Sequence, residues 1–464
     1  MSTKIGQFFE YMFQIDRSQR LKFFYLTAIY FFVIGAYTVV KELNNSIFLR
    51  VVGADYLPWV KIASMFVLIP AILFYSFMVD KLRRYQLLAF YSLLYGVIGL
   101  IFGYFLSSPT IGLANTVADP YRLFGWLFYF FIQGYSPFVV SVFWAFSNSV
   151  TSPQEAKNNY SLMVSGSKLG GMLSAGFAWW FVGLISFAGF ELSSVVKFQA
   201  LFLFSSVMIL FVPVLTWMLK KNVPGRNLHG YEAAYIAEKS REKHDKKVGI
   251  LSGLTMLIKQ PYALGIFGMV FFYEIISVVL DFLRLKLANE ASCDVSSLSC
   301  ILFEQMFFIH FIGFIVSLIG TNFLLKRFGE RNCVMLLPIL TAILIVVLLI
   351  NVTAVGSMAA INIVSVVFIG IKAINYAIGY PVRESLYIPT VKDIKFKTKS
   401  WIDAFGSKIA KACASQFNLI SPSISSAHPV FFSIVLTLWF FTAYLLGNRF
   451  RRAVAHNEVI GENA

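Results

Sequence analysis

Ionisable side chains lie inside long apolar stretches of this sequence, where charge is costly. In the second half, Glu274 and Asp281 are seven residues apart, which places both carboxylates on one face of a helix. Arg284 follows Asp281 by three residues, close enough on a helix to pair with it. In the first half, Lys41 and Glu42 lie together in the first apolar stretch. Each such group costs about 2.5–3.5 kcal/mol in a bilayer on insertion scales, so it needs a partner or a function.

Basic residues recur in the apolar stretches of both halves, a pattern that favours an anionic substrate in a water-filled cavity. The alternative is that the charges form ion pairs, such as Lys41 with Asp281, that serve packing alone. For any single residue the sequence leaves both readings open. His310 is more typical of a satisfied packing residue than of a proton relay. The other charged residues in these stretches are Lys168, Glu304, Lys372, Arg383, Glu384, Asp403, Lys408 and Lys411.

The composition indicates the class of protein. Of 464 residues, 58% are hydrophobic and 13% are charged, whereas soluble proteins carry about 25% charged residues. A soluble core cannot absorb this much apolar surface, so we expect an all-α polytopic membrane protein. At roughly 20 residues a span, the chain accommodates about twelve helices. The predicted spans are 23–48, 57–79, 86–106, 123–146, 161–187, 198–218, 261–286, 301–325, 333–351, 357–381, 401–422 and 429–447.

The loops on one side of the predicted membrane are strongly basic, which accounts for the net charge of +16 without nucleic-acid binding. These loops are the N-terminus, 80–84, 219–260, 326–331, 390–400 and 448–452. The loop at 147–160 is nearly neutral, and Arg50 is the clear basic exception on the opposite side. The alternation predicts that both termini are cytoplasmic.

The longest polar stretch divides the chain into two predicted six-helix bundles. We expect a bundle at 23–218, a basic cytoplasmic linker at 219–260 and a second bundle at 261–447. An N-terminal cytoplasmic segment at 1–22, able to lie on the membrane surface, and a cytoplasmic tail at 448–464 complete the chain. Within the linker, 230–247 predicts a charged surface helix.

The two halves repeat at an offset near 240 residues. Gly166-Ser167-Lys168 matches Gly406-Ser407-Lys408, and Lys41 falls opposite Asp281. Two six-helix repeats, each with a basic turn between its second and third helices, are typical of a major-facilitator-like transporter. Such proteins bind substrate near the membrane midplane.

Other chemistries find little support in the sequence. It contains no Gly-rich phosphate loop, no HExxH and no Cys/His cluster with metal spacing. We therefore expect neither an enzyme nor a cofactor or metal site. Cys293 and Cys300 share a predicted external loop, where a disulfide is one option.

Four stretches resemble the nucleotide transporter family of ATP/ADP translocases, found in obligate intracellular bacteria and in plastids. Lys41-Glu42-Leu43 resembles the family's Lys-Asp-Thr-Leu, and the run from Gly53 to Lys61 resembles its Gly-Ala-Glu-x-Ile-Pro-Phe-Leu-Lys. The third stretch is Phe143-Trp144-Ala145-Phe146-Ser147-Asn148 with Glu155-Ala156-Lys157 and Tyr160. The fourth is Arg383-Glu384-Ser385-Leu386-Tyr387-Ile388-Pro389 with Lys397, Lys399, Ile402, Asp403 and Gly406.

The resemblance implies twelve helices and nucleotide movement, commonly ATP for ADP. Its functional lysine in helix 1 matches Lys41, and its acid in helix 7 best matches Asp281, with Glu274 a rival. Its lysine in helix 10 matches Arg383, which keeps the charge but offers a bidentate fork. Its acid in helix 4 is absent, because Gln133 stands where the family has Glu. Lys61, which ends the second stretch, is also predicted to bind substrate.

We hypothesise that Lys41 and Arg383 bind phosphate oxygens from opposite halves. Asp281 would pair with Lys41 without substrate, and Gln133 would keep a hydrogen-bonding role. The predicted setting is the lipid bilayer of a bacterial inner membrane, with the protein a monomer.

The missing helix 4 acid leaves another reading open. The chain would then be a uniporter or proton symporter of another organic anion, with Glu274 or Asp281 carrying the proton. A third reading is a non-transporting receptor whose activity lies in 219–260.

Overall fold

A computed structural model describes most of the chain. The described residues are 19–151, 153–184, 192–224, 252–319, 321–352, 357–387, 389–390, 394, 398–402, 406–456, 458 and 460–461. The charged helix predicted at 230–247 and the surface segment predicted within 1–22, apart from its last four residues, lie outside them.

The described residues are almost entirely helical, and their one β pairing is an isolated bridge between Thr390 and Ile460. The all-α prediction is therefore confirmed. The first seven helices are α1 Arg20–Val51, α2 Leu57–Lys81, α3 Arg84–Phe105, α4 Leu123–Gln133, α5 Ser141–Val150, α6 Pro153–Leu184 and α7 Ser194–Asn222. The others are α8 Ser252–Lys259, α9 Pro261–Glu290, α10 Val295–Ile319, α11 Thr321–Val352, α12 Ser357–Ile374, α13 Tyr380–Leu386, α14 Lys399–Trp401, α15 Ser407–Ile420 and α16 Ala427–Ala455.

Eight helical segments among the described residues are long and apolar enough to cross a membrane. They are Arg20–Val51, Arg84–Phe105, Leu123–Ser147, Ser194–Asn222, Pro261–Glu290, Val295–Ser317, Arg331–Asn351 and Ala427–Ala455. The polytopic character is thus confirmed, while the count of twelve stays a prediction.

The loop predicted at 147–160 is shorter than expected, because α6 already begins at Pro153. Proline is favoured in the first turn of a helix, where its missing N–H would have no partner anyway. The basic turn predicted at 326–331 coincides with a break in α11 at Gly329, whose φ of 72° suits glycine.

The chain forms two compact units. The first comprises the described residues within Met1–Gly53, Phe66–Lys246 and Cys293–Leu318, and the second those within Ala54–Met65, Lys247–Ser292 and Ile319–Ala464. In the first, α1 packs on α6, α7 and α4, and α3 packs on α7. In the second, α9 packs on α12, α15 and α16, and α11 packs on α12 and α16. The six-plus-six division at 219–260 stays a prediction.

Small residues set how closely helices of the first unit approach. At Gly170 of α6, an added Cβ would overlap the carbonyl oxygen of Phe31 in α1. On α3, Gly99 and Gly103 face Ser206 and Phe202 of α7. Within a membrane, such contacts replace hydrophobic burial as the source of helix association.

Replacing Gly170 by alanine should therefore destabilise the first unit by about 1–3 kcal/mol, the usual cost of overpacking. The clash is with backbone, which cannot move aside as a side chain can. Thermal unfolding in detergent measures the effect.

Gly176→Ala is the matched control on the same helix, because its Cβ would meet only the Phe307 ring, at 3.1 Å. Equal unfolding temperatures for the two variants would contradict the role given to Gly170.

Candidate functional site

One face of α9 carries the polar side chains around which the second unit is built. Tyr273, Ser277, Asp281 and Arg284 follow one another at intervals of four, four and three residues. These intervals place all four on one side of the helix. Tyr273, Ser277 and Arg284 are buried, and Asp281 is half-buried.

Asp281 accepts hydrogen bonds from two cations. The Lys61 ammonium lies 3.1 Å from its Oδ2, and an Arg284 guanidinium nitrogen lies 3.0 Å from its Oδ1. The Arg284 side chain is fully buried, and that of Lys61 is only 11% exposed. The pairing of Arg284 with Asp281 is as the sequence predicts. The contact with Lys61 brings together two predicted site residues that are 220 positions apart, whereas the pairing of Lys41 with Asp281 stays a prediction.

Lys372 of α12 lies against this polar face of α9 and forms no salt bridge with a described carboxylate. Its ammonium donates to the Ser277 hydroxyl at 2.6 Å and lies 5.5 Å from the centroids of both the Tyr273 and Phe368 rings. Among the described residues, no carboxylate oxygen comes within 4.0 Å of it. The Phe368 ring also receives the Arg284 guanidinium, 4.5 Å from its centroid. A hydroxyl and two rings contact the ammonium, and the Glu274 and Asp281 carboxylates attract it from a greater distance.

Among the residues that the structure describes, basic side chains outnumber acidic ones around this face. The members that interact electrostatically are Lys61, Arg284, Lys372, Lys408 and Lys411, with the two acids Glu274 and Asp281. We call these seven residues the basic cluster. Five basic side chains and two carboxylates share this apolar surrounding, a composition that suits an anionic ligand.

Two π-helical turns mark equivalent places in the internal repeat. Ser136–Val140 follows α4 in the first unit, and Asn375–Gly379 follows α12 in the second. They begin 239 residues apart, and Gln133 and Lys372 each lie three residues before one of them. π-Helical turns are rare and frequent at functional sites. The repeat therefore makes Lys372 the counterpart of the predicted site residue Gln133.

Arg383 lies apart from the basic cluster, eleven residues beyond Lys372. Eleven residues correspond to about three helical turns, or roughly 16 Å. Its guanidinium lies 5.0 Å from the Tyr380 ring centroid, and it borders a small cavity together with Asn375 and Trp439. None of its contacts in the described part of the chain is with Lys61 or Asp281.

The first unit holds the other predicted site residues. The Lys41 ammonium lies 3.5 Å from Glu42, whose buried carboxylate also accepts from Asn45 at 3.0 Å. Lys41 is 37% exposed, and Gln133 is half-buried.

His310 lies near Lys41 and Lys168 in the same unit. Its Nε2 lies 3.0 Å from the Thr38 hydroxyl, and its ring lies against Gly171. Within the described part of the chain, its buried Nδ1 has no hydrogen-bond partner, so the interpretation of His310 as a satisfied packing residue stays a prediction.

Sequence reasoning noted Lys372, Lys408 and Lys411 as costly charges but did not place them in the site. Their spacing along separate helices carried no sign of a common neighbour. Glu274 joins the basic cluster through its electrostatic interactions with Lys372 and Lys408.

The described residues contain no group of three His, Cys, Asp or Glu side chains able to hold a metal ion. Cys293 and Cys300 are free thiols, so the disulfide considered between them is not formed.

Solved transporters share this fold. A xylose transporter of E. coli in an inward-open conformation superposes with a TM-score of 0.59 at 14% identity, covering 92% of this chain and 94% of that one. The major facilitator superfamily transporter FucP, in an outward conformation, gives 0.56 at 14% identity and covers 94% and 99%. These likenesses confirm the major-facilitator-like fold.

Curated relatives are carriers as well. The chain is 21% identical to ADP,ATP carrier protein 1 of Rickettsia prowazekii, over 96% of each chain. It is 23% identical to the chloroplastic ADP,ATP carrier protein 1 of Arabidopsis thaliana over 72% of this chain, and it spans about half (55%) of that relative's length.

Residues 121–450 match the TLC ATP/ADP transporter family, which confirms the resemblance seen in the motifs and the prediction of a transporter rather than an enzyme. The match spans most of the chain, so this protein belongs to the TLC ATP/ADP transporter family.

Proposed function

We propose that this protein carries nucleotides, ATP and ADP among them, across a membrane by alternating access. The observation that carries the proposal is the group of five basic side chains in the basic cluster, which suits a phosphate chain of several negative charges. The relatives' description as ADP,ATP carriers supports the choice of nucleotide over other anions.

In the proposed site, Lys372 is the first contact for phosphate oxygens. Its ammonium is positioned by Ser277 and by two aromatic rings, and it forms no salt bridge among the described residues. Lys61 and Arg284 are already held by Asp281. Phosphate would compete with Asp281 for Lys61, and that competition would give the substrate-bound and substrate-free states different ion pairs.

The remaining predicted residues extend this proposal. Lys41 would bind phosphate from the first unit, and Arg383 would bind it at another stage of transport. Gln133 would donate or accept a hydrogen bond without charge, and Glu274 would set the charge balance beside Lys372. The proposal places a monomer in a bacterial inner membrane with both termini cytoplasmic.

A second candidate function is proton-coupled transport of another organic anion. The half-buried Glu274 beside Lys372 and Lys408 favours it, because protonation of this carboxyl would change the charge of the basic cluster.

Uptake of labelled ATP into proteoliposomes distinguishes the two functions. The vesicles are loaded with ADP, left without nucleotide, or given a proton gradient. Uptake that requires internal ADP supports nucleotide exchange, and uptake driven by the proton gradient alone supports the second candidate. Absence of ATP uptake in every condition by folded protein would contradict the proposal.

Replacing Lys372 by glutamine should lower the kcat/KM of ATP uptake about 10–100-fold, because a charge-assisted hydrogen bond is worth about 1.5–3 kcal/mol. Lys372→Arg keeps the charge and should retain part of the activity. Initial rates in proteoliposomes measure both. Equal loss in the two variants would argue against a charge-based role.

Asp281→Asn should reduce both folding yield and transport, because it leaves the Lys61 and Arg284 cations without their carboxylate. Adding Lys61→Gln to Asp281→Asn should recover only part of the folding yield, because the buried Arg284 still lacks the Asp281 carboxylate, and it should not recover transport. Size-exclusion chromatography and uptake rates separate the two effects. Recovery of full transport in the double variant would show that this ion pair serves packing alone.

A further inference from the structure

A groove of about 840 Å³ lies between α9 and α16 in the second unit. We call it the α9–α16 groove. The beginning of α9 and the end of α16 form its walls, and the tail residues Glu458, Ile460 and Gly461 border it. It belongs to neither the basic cluster nor the surroundings of Arg383.

The groove combines an apolar wall with a charged end. The apolar wall includes Leu264, Phe267, Phe271 and Leu445. At the charged end, the Arg449 guanidinium donates two hydrogen bonds to the Glu458 carboxylate, one of them at 2.8 Å. Such a combination matches a ligand with a long apolar part and an anionic head.

The position of the groove indicates where that ligand comes from. Both α9 and α16 are long and apolar enough to cross a membrane. Leu264 and Leu445 line the groove and are 48% and 66% exposed, so the groove opens on the surface. Exposed basic residues stand near the groove's charged end in the sequence: Lys259 at the end of α8, and Arg451 and Arg452 just after Arg449 in α16. Basic pockets between transmembrane helices are a recognised way to bind lipid head groups.

We propose that the α9–α16 groove binds an anionic phospholipid, with an acyl chain along the apolar wall and the phosphate on Arg449. The phosphate would displace Glu458, since the pair is exposed and such pairs contribute only about 0–1 kcal/mol. The bilayer supplies this ligand at high local concentration. The inference stands apart from the proposed nucleotide transport, because it concerns different residues and a different ligand.

Lipid binding would also act on the tail. The Ile460 amide donates to the carbonyl oxygen of Pro389 at 2.7 Å, and Ile460 forms a bridge with Thr390. Glu458 therefore holds the tail to α16 through Arg449, and Ile460 holds it to the segment at Pro389 and Thr390. A phosphate bound to Arg449 would break the salt bridge between Arg449 and Glu458 and leave the contact of Ile460 with Pro389 in place.

Fluorescence quenching locates the lipid. Leu445→Trp places a reporter in the groove, and Leu438→Trp places one two turns earlier on the same face, also exposed but outside the groove. In phosphatidylcholine vesicles with a minor fraction of brominated lipid, brominated phosphatidylglycerol should quench the first reporter more than brominated phosphatidylcholine does. The second reporter should show no such preference. Equal quenching by both lipids at the first reporter would overturn the proposal.

Two variants then separate lipid binding from a structural role of the ion pair. Arg449→Gln should weaken the preference for phosphatidylglycerol about fivefold, the contribution of one basic residue near an anionic surface. Glu458→Gln should strengthen it, because it frees Arg449 for phosphate. Both variants break the same salt bridge, so a role confined to holding the tail predicts changes in the same direction. That result would overturn the proposal.

Discussion

The burial of several basic side chains in an apolar surrounding is the constraint on which this structure depends. Each cation in a membrane segment loses its hydration, and ion pairing offsets the loss only where a carboxylate is at hand. Asp281 serves two cations in this way, Lys61 and Arg284. In the described part of the chain, the Lys372 ammonium contacts a hydroxyl and aromatic rings, and Glu274 and Asp281 attract it electrostatically. Such a group of basic side chains suits an anionic ligand, and this complementarity supports the proposed nucleotide transport.

Helix packing makes the arrangement possible. α9 presents Tyr273, Ser277, Asp281 and Arg284 on one face, and α12 supplies Phe368 and Lys372, one turn apart, to meet them. The π-helical turn that follows Lys372 has its equivalent after Gln133 in the other half. The two halves thus share a π-helical turn at equivalent positions, while the side chain before it is the Gln133 amide in one half and the Lys372 ammonium in the other.

The helices, one ion pair and the family could be predicted from the sequence. Hydropathy gives the helices, because apolar runs of membrane length leave few alternatives. The pairing of Asp281 with Arg284 follows from their spacing on one helix. The motifs point to the family that residues 121–450 match.

The contacts that form the basic cluster could not be predicted, because they depend on how segments distant in the sequence pack together. The contact of Lys61 with Asp281 joins positions 220 residues apart, and no local pattern predicts it. Lys372 could be recognised as a costly charge, but its contacts with Ser277 and Tyr273 depend on how α12 packs against α9. Hydropathy did not predict that α6 begins at Pro153, because the first turns of this helix are polar.

Thermal unfolding of Lys372→Gln, with and without ADP, tests whether the Lys372 ammonium binds the nucleotide. If the Lys372 ammonium is kept for substrate, its removal should leave the unfolding temperature of the protein without nucleotide nearly unchanged. The same variant should lose most of the further rise that ADP causes in the wild type, since a ligand stabilises only what it binds. A lower unfolding temperature without nucleotide, together with an undiminished response to ADP, would show that Lys372 serves packing and would contradict the account.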